Sequence, residues 1–128
     1  MQGMALADFF SADYTSARAR FIETTDRLGW RREAHDIGSS GPAGEALSID
    51  TALYGNRSPG NVVIVSSGLH GIEGFFGSAV QLAFLEQQAP RLALSPDVAI
   101  ILVHALNPFG FSCGADRTKT TLTSIAIS

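Results

Sequence analysis

Two side chains that can bind a metal lie three residues apart in a glycine-rich segment. His70 and Glu73 occur in SSGLHGIEGFFG, directly after the apolar run Val62 to Val65. An imidazole nitrogen and a carboxylate oxygen both suit zinc, and a catalytic zinc commonly takes two histidines and one glutamate and leaves its fourth position to water. The segment therefore contains two of the three protein ligands that such a site needs.

The elements predicted around this segment place it at one edge of a sheet. Val62 to Val65 is apolar and β-branched, as in a strand that is covered on both faces. Ser78 to Gln88 has apolar residues at helical spacing, and Val98 to Val103 is a second apolar run, so the order strand, helix, strand predicts two parallel strands joined by a crossover helix. Ligands of such sheets bind at the carboxyl ends of the strands, where His70 is expected. Its four neighbouring glycines are expected to let the backbone turn sharply.

The first part of the chain predicts a helix followed by a hairpin. Apolar residues between Phe10 and Leu28 recur at spacings of three, four or seven, Ser11 is a suitable N-cap, and Gly29 suits the left-handed position just past the helix. The extended segments Trp30 to Ile37 and Leu47 to Leu53 then suggest an antiparallel pair. Together these elements predict a three-layer α/β fold, with a mixed sheet that has an antiparallel hairpin at its edge.

Composition restricts the classes of partner. With 45% hydrophobic and 16% charged residues in 128, the chain has the composition of a globular domain with a core. A net charge of -3 provides no basic surface for phosphates, so neither nucleic acid nor an anionic membrane is an expected partner. The single Cys113 excludes an internal disulfide, and no signal-peptide or membrane-spanning pattern occurs. A cytoplasmic location is the resulting expectation.

Other catalytic motifs are poorly supported. Glycines at every third position differ from the G-x-G-x-x-G of a dinucleotide fold, and the lysine of a phosphate-binding loop is missing. No G-x-S-x-G elbow occurs, and Ser78 falls inside a predicted helix, which argues against a serine hydrolase. Ser66 and Ser67 are expected to satisfy backbone groups at the strand end. Because a histidine and a glutamate in such a turn can also be a cap and a solvated side chain, the residues alone leave a non-metal role open.

Two longer segments carry a family resemblance. SSGLHGIEGFFGSAVQ, followed by HALNPFGF at residues 104–111, closely resembles the zinc carboxypeptidase-like superfamily, in its bacterial branch catalogued as domain of unknown function 2817. FSADYTSARARF and GEALSID look like the same branch. The resemblance implies that the H-x-x-E pair, here His70 and Glu73, supplies two zinc ligands. The related aspartoacylase-like deacylases share the H-G-x-E form.

The remaining machinery of that superfamily does not map onto this chain. Its third ligand is a distant downstream histidine, its general base is a glutamate farther on, and an asparagine-arginine pair in a DLNRNF-type segment holds the substrate carboxylate. His104 stands where the family has no ligand, so it is expected to be packed or hydrogen-bonded. His35 is likewise expected to be structural. A turn signal that should shape the pocket wall comes from Asn107, Pro108 and Gly110.

The composition changes after Ser112, where the only cysteine and the only lysine, Lys119, occur. Codons can be assigned to CGADRTKTTLTSIAIS that, regrouped by one base, encode WRRSNEDNVDLNRNF, a segment of the family's type. Two bases of each shifted codon are largely fixed by the residues present, so a match of this length is improbable by chance. Residues 1–112 are therefore expected to be the N-terminal part of a carboxypeptidase-like domain, and residues 113–128 an out-of-frame tail. A naturally short domain with a threonine-rich last strand is the alternative.

The resemblance implies hydrolysis of an amide bond near a free carboxylate, in a small peptide or an N-acyl amino acid. With two ligands only, the truncated chain is expected to bind zinc weakly or not at all and to be inactive. An N-acyl amino acid deacylase lineage and a non-catalytic α/β binding domain are the alternatives. A truncated sheet is also expected to leave an apolar strand, such as Val98 to Val103, without a neighbour and so to favour self-association.

Overall fold

A computed structural model describes residues 4–114. Its helices and strands, in chain order, are α1 (Tyr14–Arg27), β1 (Arg31–Ser40), β2 (Ala46–Gly55), β3 (Asn61–Ser66), α2 (Gly74–Gln87), β4 (Val98–His104) and α3 (Pro108–Cys113). Short 3-10 turns cover Leu6–Phe9, Gly71–Glu73 and Ala89–Arg91. Across this part of the chain, no helix combines the length and hydropathy needed to cross a membrane. The tail predicted from Cys113 onward lies, after Gly114, outside the described residues.

The sheet has the strand order β1-β2-β4-β3. β2 pairs antiparallel with both β1 and β4, whereas β3 and β4 are parallel and are connected through α2. The predicted α/β fold is therefore confirmed in its mixed sheet, its parallel strand-helix-strand unit and its antiparallel edge hairpin. Helices α1 and α2 pack on the sheet face that carries Ala52, Ile100 and Leu102.

Two predictions about individual strands are wrong. β4, expected to lack a neighbour, lies between β2 and β3 in the middle of the sheet. β3, expected to be covered on both faces, is an edge strand whose residues Val62 to Val65 have relative exposures between 42% and 63%. An apolar β-branched run shows that a segment favours a buried strand, but strand order depends on pairings far apart in sequence. β3 has the composition of an inner strand and the position of an outer one.

The helix ends follow local chemistry. α1 is capped by Asp13 rather than by the predicted Ser11: the Asp13 carboxylate accepts a hydrogen bond of 2.8 Å from the Ser16 amide, which lowers the pKa of Asp13. Gly29 adopts a φ of +79°, as predicted for the residue past the helix. α2 begins at Gly74, four residues before the predicted start at Ser78, because the 3-10 turn at Gly71–Glu73 runs directly into it.

The core lies between the helices and the sheet. One cluster contains Phe21, Leu85 and Leu102, together with Trp30, which stacks on Tyr54 with ring centroids 5.2 Å apart. Complete burial of each such side chain stabilises the fold by about 1.5 to 3 kcal/mol. In a second cluster Tyr14 fixes α1 to β2, since its hydroxyl donates to the Ser48 carbonyl at 2.8 Å and accepts from the Ser48 amide at 2.9 Å.

Candidate metal site

The candidate site lies where two parallel strands end. β3 ends at Ser66 and β4 ends at His104, and because the strands are parallel and adjacent, their carboxyl ends meet at the same edge of the sheet. The chain leaves β3 into the turn that carries His70 and Glu73, and it leaves β4 towards α3. The structure therefore places the predicted ligands at the expected edge.

His70 and Glu73 are in contact on this turn. His70 Nδ1 and Glu73 Oε1 are 3.3 Å apart, and the side chains are 56% and 60% exposed. His70 precedes the 3-10 turn, and Glu73 is its last residue, directly before α2. Because a carboxylate only accepts hydrogen bonds, a hydrogen bond between them requires a proton on Nδ1. Both side chains remain open to water and to a ligand.

The separation of these two atoms fits a shared zinc ion. Ligand atoms that each lie about 2.0 to 2.1 Å from a tetrahedral zinc are about 3.3 Å from one another. The Nδ1 to Oε1 distance of 3.3 Å therefore allows both atoms to bind one ion without a large movement of the turn. Within residues 4–114, no further His, Cys, Asp or Glu completes a group of three around them.

The glycines of the turn act mainly through close packing. Gly68 has a φ of +68°, so it uses the left-handed conformation as predicted. Gly71 and Gly74 do not: instead, a Cβ on Gly71 would overlap the backbone of Gly110, and one on Gly74 would overlap the ring of Phe111. The expectation that all four glycines serve sharp turning is wrong for these two and for Gly77, where an added Cβ would meet the side chain of Ser67. Gly71 and Gly74 allow α3 to pack directly against the turn that carries His70 and Glu73.

A buried polar cluster fixes the two strand ends below the turn. Ser67 Oγ accepts a hydrogen bond of 3.1 Å from the Ala105 amide and donates one of 3.0 Å to Gln81 Oε1. Gln81 Nε2 donates to the carbonyls of Val65 and Val103 at 3.0 and 3.1 Å. The predicted role of Ser67 is confirmed. The role of Gln81 was not predicted, although a glutamine on an otherwise apolar helix face is a signal of buried hydrogen bonding.

His104 has the structural role that the sequence predicts. It is fully buried, its Nε2 lies 2.8 Å from Ser78 Oγ, and its ring stacks on Phe21 with centroids 4.7 Å apart. Burial lowers the pKa of His104 to about 4. The contact resembles a serine with its base, yet both side chains are buried between the helices and the sheet, so no substrate reaches them.

Asp50 is the charged neighbour of His104 across the β2–β4 pair. It is fully buried, and Arg18 on α1 donates to both of its oxygens, at 2.7 and 3.1 Å. This hydrogen bonding raises the pKa of Arg18. A buried carboxylate needs such a partner, and the ion pair therefore joins α1 to the middle of the sheet.

The remaining predicted residues are separated from the metal pair or support it indirectly. Asn107 caps α3, with its side chain accepting a 2.9 Å hydrogen bond from the Gly110 amide, and Pro108 is the first residue of that helix. The predicted turn signal therefore begins a helix that packs on the turn. His35 is exposed on β1, at the opposite edge of the sheet from β3.

A cleft opens between the turn and the end of β3. It has a volume of about 450 Å³, and Glu73 is its only ionisable residue among those described. Its lining is otherwise small or apolar and consists of Ser66, Ser67, Gly68, Leu69, Phe76 and Gly77. A small substrate group fits this volume, but no basic side chain in the lining could hold a carboxylate.

Comparison with a solved structure supports the fold class. A glutaminyl cyclase from Fimbriiglobus ruber aligns with a TM-score of 0.52 at 11% identity, over 77% of this chain and 41% of its own. One from Macrostomum lignano aligns with a TM-score of 0.48 at 12% identity, over 74% of this chain and 32% of its own. The chain thus spans less than half the length of either protein. The first likeness supports the three-layer α/β class, of which residues 4–114 contain the sheet and helices of one face.

Sequence comparison gives the family. No curated protein matches this chain. A family model described as "Protein of unknown function (DUF2817)" matches residues 10–120, which include β1 to β4, the turn with His70 and Glu73, and α3. Since this match covers most of the sequence, the chain belongs to the DUF2817 family.

Proposed function

We propose that His70 and Glu73 are two ligands of a zinc site whose lineage is that of zinc-dependent hydrolases of amide bonds near a free carboxylate. The observation that carries this proposal is the 3.3 Å separation of Nδ1 and Oε1 on an exposed turn at the ends of two parallel strands. The chemistry of this donor pair suits zinc. Small peptides and N-acyl amino acids are the corresponding substrate classes.

The residues around the pair position the site. A bound zinc would polarise a substrate carbonyl and lower the pKa of a coordinated water. His70 and Glu73 would hold it, while Gln81 and Ser67 keep the ends of β3 and β4 at a fixed distance below the turn. The cleft beside Glu73 would admit the acyl portion of a small substrate.

The same geometry supports weak zinc binding and no hydrolysis by this chain. Only two candidate ligands come together within residues 4–114, and metal affinity depends on a complete, preorganised set of ligands. The cleft contains Glu73, which is already assigned to the metal, and no arginine for a substrate carboxylate. A general base and a substrate clamp are therefore missing from the part of the chain that the structure describes.

The fold alone does not identify the reaction that a protein catalyses. A glutaminyl cyclase shares it at 11% identity, and one fold commonly supports several reactions. An N-acyl amino acid deacylase lineage would use the same H-G-x-E pair. A non-catalytic domain would use the exposed turn to bind a partner without metal, so zinc binding is the first property to measure.

Zinc titration of protein purified without chelators tests the proposal. We expect weak binding with a single site, loss of that binding in His70→Ala, and retention in His35→Ala, which removes another exposed imidazole, on β1. Equal zinc binding by wild type and His70→Ala would overturn the site. No binding by wild type would favour the non-catalytic alternative. Zinc-dependent release of a C-terminal or N-acylated amino acid, abolished by Glu73→Gln, would overturn the expected inactivity.

The out-of-frame tail has a separate test. The nucleotide sequence around the codon for Ser112 should, in the shifted frame, encode the DLNRNF-type segment and continue to a downstream histidine and glutamate. A shifted frame without them would contradict the hypothesis.

A further inference from the structure

Ala105 has a backbone conformation that residues other than glycine rarely adopt. Its φ is +59°, and among residues 4–114 every other positive φ belongs to a glycine. An alanine in this left-handed conformation is strained, because its Cβ lies too close to the following carbonyl oxygen. Ala105 directly follows β4, and β4 is parallel to β3. The strain therefore lies at the edge of the sheet where β3 leads into the turn with His70 and Glu73.

Ala105 is also an extra residue in the pairing of β4 with β3. The Ser67 amide donates to the Val103 carbonyl at 3.0 Å, as in a regular parallel ladder. Such a ladder would continue with a bond from the Ala105 amide to the Ser67 carbonyl. That carbonyl instead accepts from the Leu106 amide, at 2.8 Å. Two residues thus face one, as in a β-bulge, and in one common form of bulge the extra residue is a left-handed glycine.

The Ser67 hydroxyl holds the extra residue in place. Its oxygen accepts from the Ala105 amide at 3.1 Å, which replaces the ladder bond lost at the bulge, and it donates to Gln81 Oε1 at 3.0 Å. Ser67, Gln81 and Ala105 are 6%, 2% and 0% exposed. A buried amide needs an acceptor, so the left-handed conformation depends on this hydroxyl. The methyl group of Ala105 belongs to the core cluster of Tyr14 and Phe111, which offsets the strain.

The bulge sets the course of the chain into α3. Directly after it, the Asn107 amide donates to the Gly68 carbonyl at 2.9 Å, and Asn107 then caps α3. Because a shift by one residue reverses the side to which each following side chain points, α3 would leave the sheet differently without Ala105. In its observed position α3 packs on the turn so closely that Gly110 leaves no room for a Cβ on Gly71. The support that α3 gives to the turn therefore depends on the bulge.

We infer that Ser67 and Ala105 are positioning residues of the proposed zinc site: their bulge fixes α3, and α3 fixes the separation of His70 and Glu73. The inference rests on the proposed function, since it assigns this pair to zinc. Ser67 also lies three residues before His70 in the chain, so the bulge constrains the turn from both sides. Backbone strain of this kind persists where the surrounding structure enforces it, and it is typical of functional sites.

Zinc titration of two serine variants of the full chain tests the inference. Ser67→Ala removes the acceptor of the Ala105 amide and should weaken zinc binding by at least about tenfold, as loss of a group that orients metal ligands does. Ser78→Ala is the matched control, because it removes an equally buried hydroxyl, bonded to His104, and leaves the bulge intact. This control should bind zinc as wild type does. Equal affinities of Ser67→Ala and Ser78→Ala would overturn the inference.

A second substitution separates position from stability. Glycine adopts the left-handed conformation without strain, so the bulge should persist in the double variant Ser67→Ala with Ala105→Gly, which should bind zinc more tightly than Ser67→Ala alone. Glycine also removes a buried methyl group and favours the unfolded chain, so this recovery would reflect the conformation at residue 105 rather than a more stable fold. Zinc binding that is no tighter in the double variant would contradict the inference.

Hydrogen exchange without zinc tests the bulge independently of the metal. The Glu73 amide donates to the His70 carbonyl at 3.0 Å, so its exchange reports on the turn. This amide should exchange faster in Ser67→Ala than in wild type and should be unchanged in Ser78→Ala. Unchanged exchange in Ser67→Ala would overturn the inference even if wild type binds zinc. A wild type that binds no zinc would instead overturn the proposed function, while faster exchange in Ser67→Ala alone would still support control of the turn by the bulge.

Discussion

His70 follows the end of β3, and His104 is the last residue of the adjacent parallel strand β4. The two histidines nevertheless have opposite environments. His70 is 56% exposed and contacts a carboxylate, whereas His104 is fully buried between a serine hydroxyl and an aromatic ring. Exposure leaves the imidazole of His70 accessible to a ligand. Burial keeps His104 neutral at physiological pH, since its pKa falls to about 4.

The comparison shows that access to water, rather than position in the fold, separates the two roles. Both histidines occupy the edge at which α/β folds bind ligands. Only His70 has a free approach from solvent, so it can serve binding, while His104 contributes to the stability of the fold. Substitutions at the two positions should therefore affect different measurements.

His104→Ala should have the largest effect on stability. It removes a buried ring stacked on Phe21 and leaves Ser78 Oγ without its partner, so we expect the free energy of unfolding to fall by about 3 kcal/mol. Urea denaturation measures this change. The exposed His35→Ala should change the same quantity by less than about 0.5 kcal/mol. A similar loss in both variants would contradict the distinction.

Acid should lower the free energy of unfolding, through protonation of His104, by nearly as much as the His104→Ala substitution does. Its pKa is about 4 in the folded chain and about 6.5 in the unfolded chain, so the unfolded state takes up the proton first as the pH falls. This effect on the free energy of unfolding is absent above pH 6.5 and grows to a loss of about 3 kcal/mol near pH 4. Denaturation across this range should show it. In His104→Ala the dependence on pH between these values should be shallower, and an unchanged dependence would assign the titration to another group.

Gly71→Ala should reduce stability by an amount between those of the two histidine substitutions. It should affect both the stability of the fold and zinc binding by the turn. A Cβ at this position overlaps the backbone of Gly110, so either the turn or α3 must move, with a loss of about 2 kcal/mol and weaker zinc binding. Leu69→Ala, at an exposed position on the same turn, should change stability by less than about 0.5 kcal/mol. Unchanged stability of Gly71→Ala would show that α3 does not constrain the turn.

His70→Ala should have the smallest effect on stability. Without zinc, its removal leaves an exposed turn with one weak contact fewer, and the free energy of unfolding should change by less than about 0.5 kcal/mol. Urea denaturation in the presence of a chelator measures it. A loss as large as that of His104→Ala would mean that the turn depends on the histidine for its structure.

Local chemistry made part of this molecule predictable. Gly29, the apolar runs of β3 and β4, and the spacing of His70 and Glu73 all express properties of neighbouring residues, and the structure places them accordingly. The choice of Asp13 over Ser11 as the cap was missed because both residue types cap helices, and contacts such as that of Tyr14 with Ser48 decide where α1 begins.

The features that local sequence patterns do not predict depend on contacts between residues far apart in the chain. Ser78 meets His104 across 26 residues, and Gln81 meets Val103 across 22, so no local pattern announces either hydrogen bond. The position of β3 at the edge depends on which strands pair, and its apolar composition alone suggested the opposite. The contact between His70 and Glu73 could be predicted because the two residues are close in sequence, whereas local spacing carries no signal for a partner far along the chain.

Trp30 gives the chain a built-in optical reporter. It is the only tryptophan, it is buried, and its ring stacks on Tyr54 and lies edge-on to Phe84. It precedes β1 and packs at the end of the sheet opposite to the turn that carries His70 and Glu73. Its emission should therefore shift to longer wavelength when the fold is lost and remain constant when zinc is added, so one fluorescence signal separates unfolding from ligand binding.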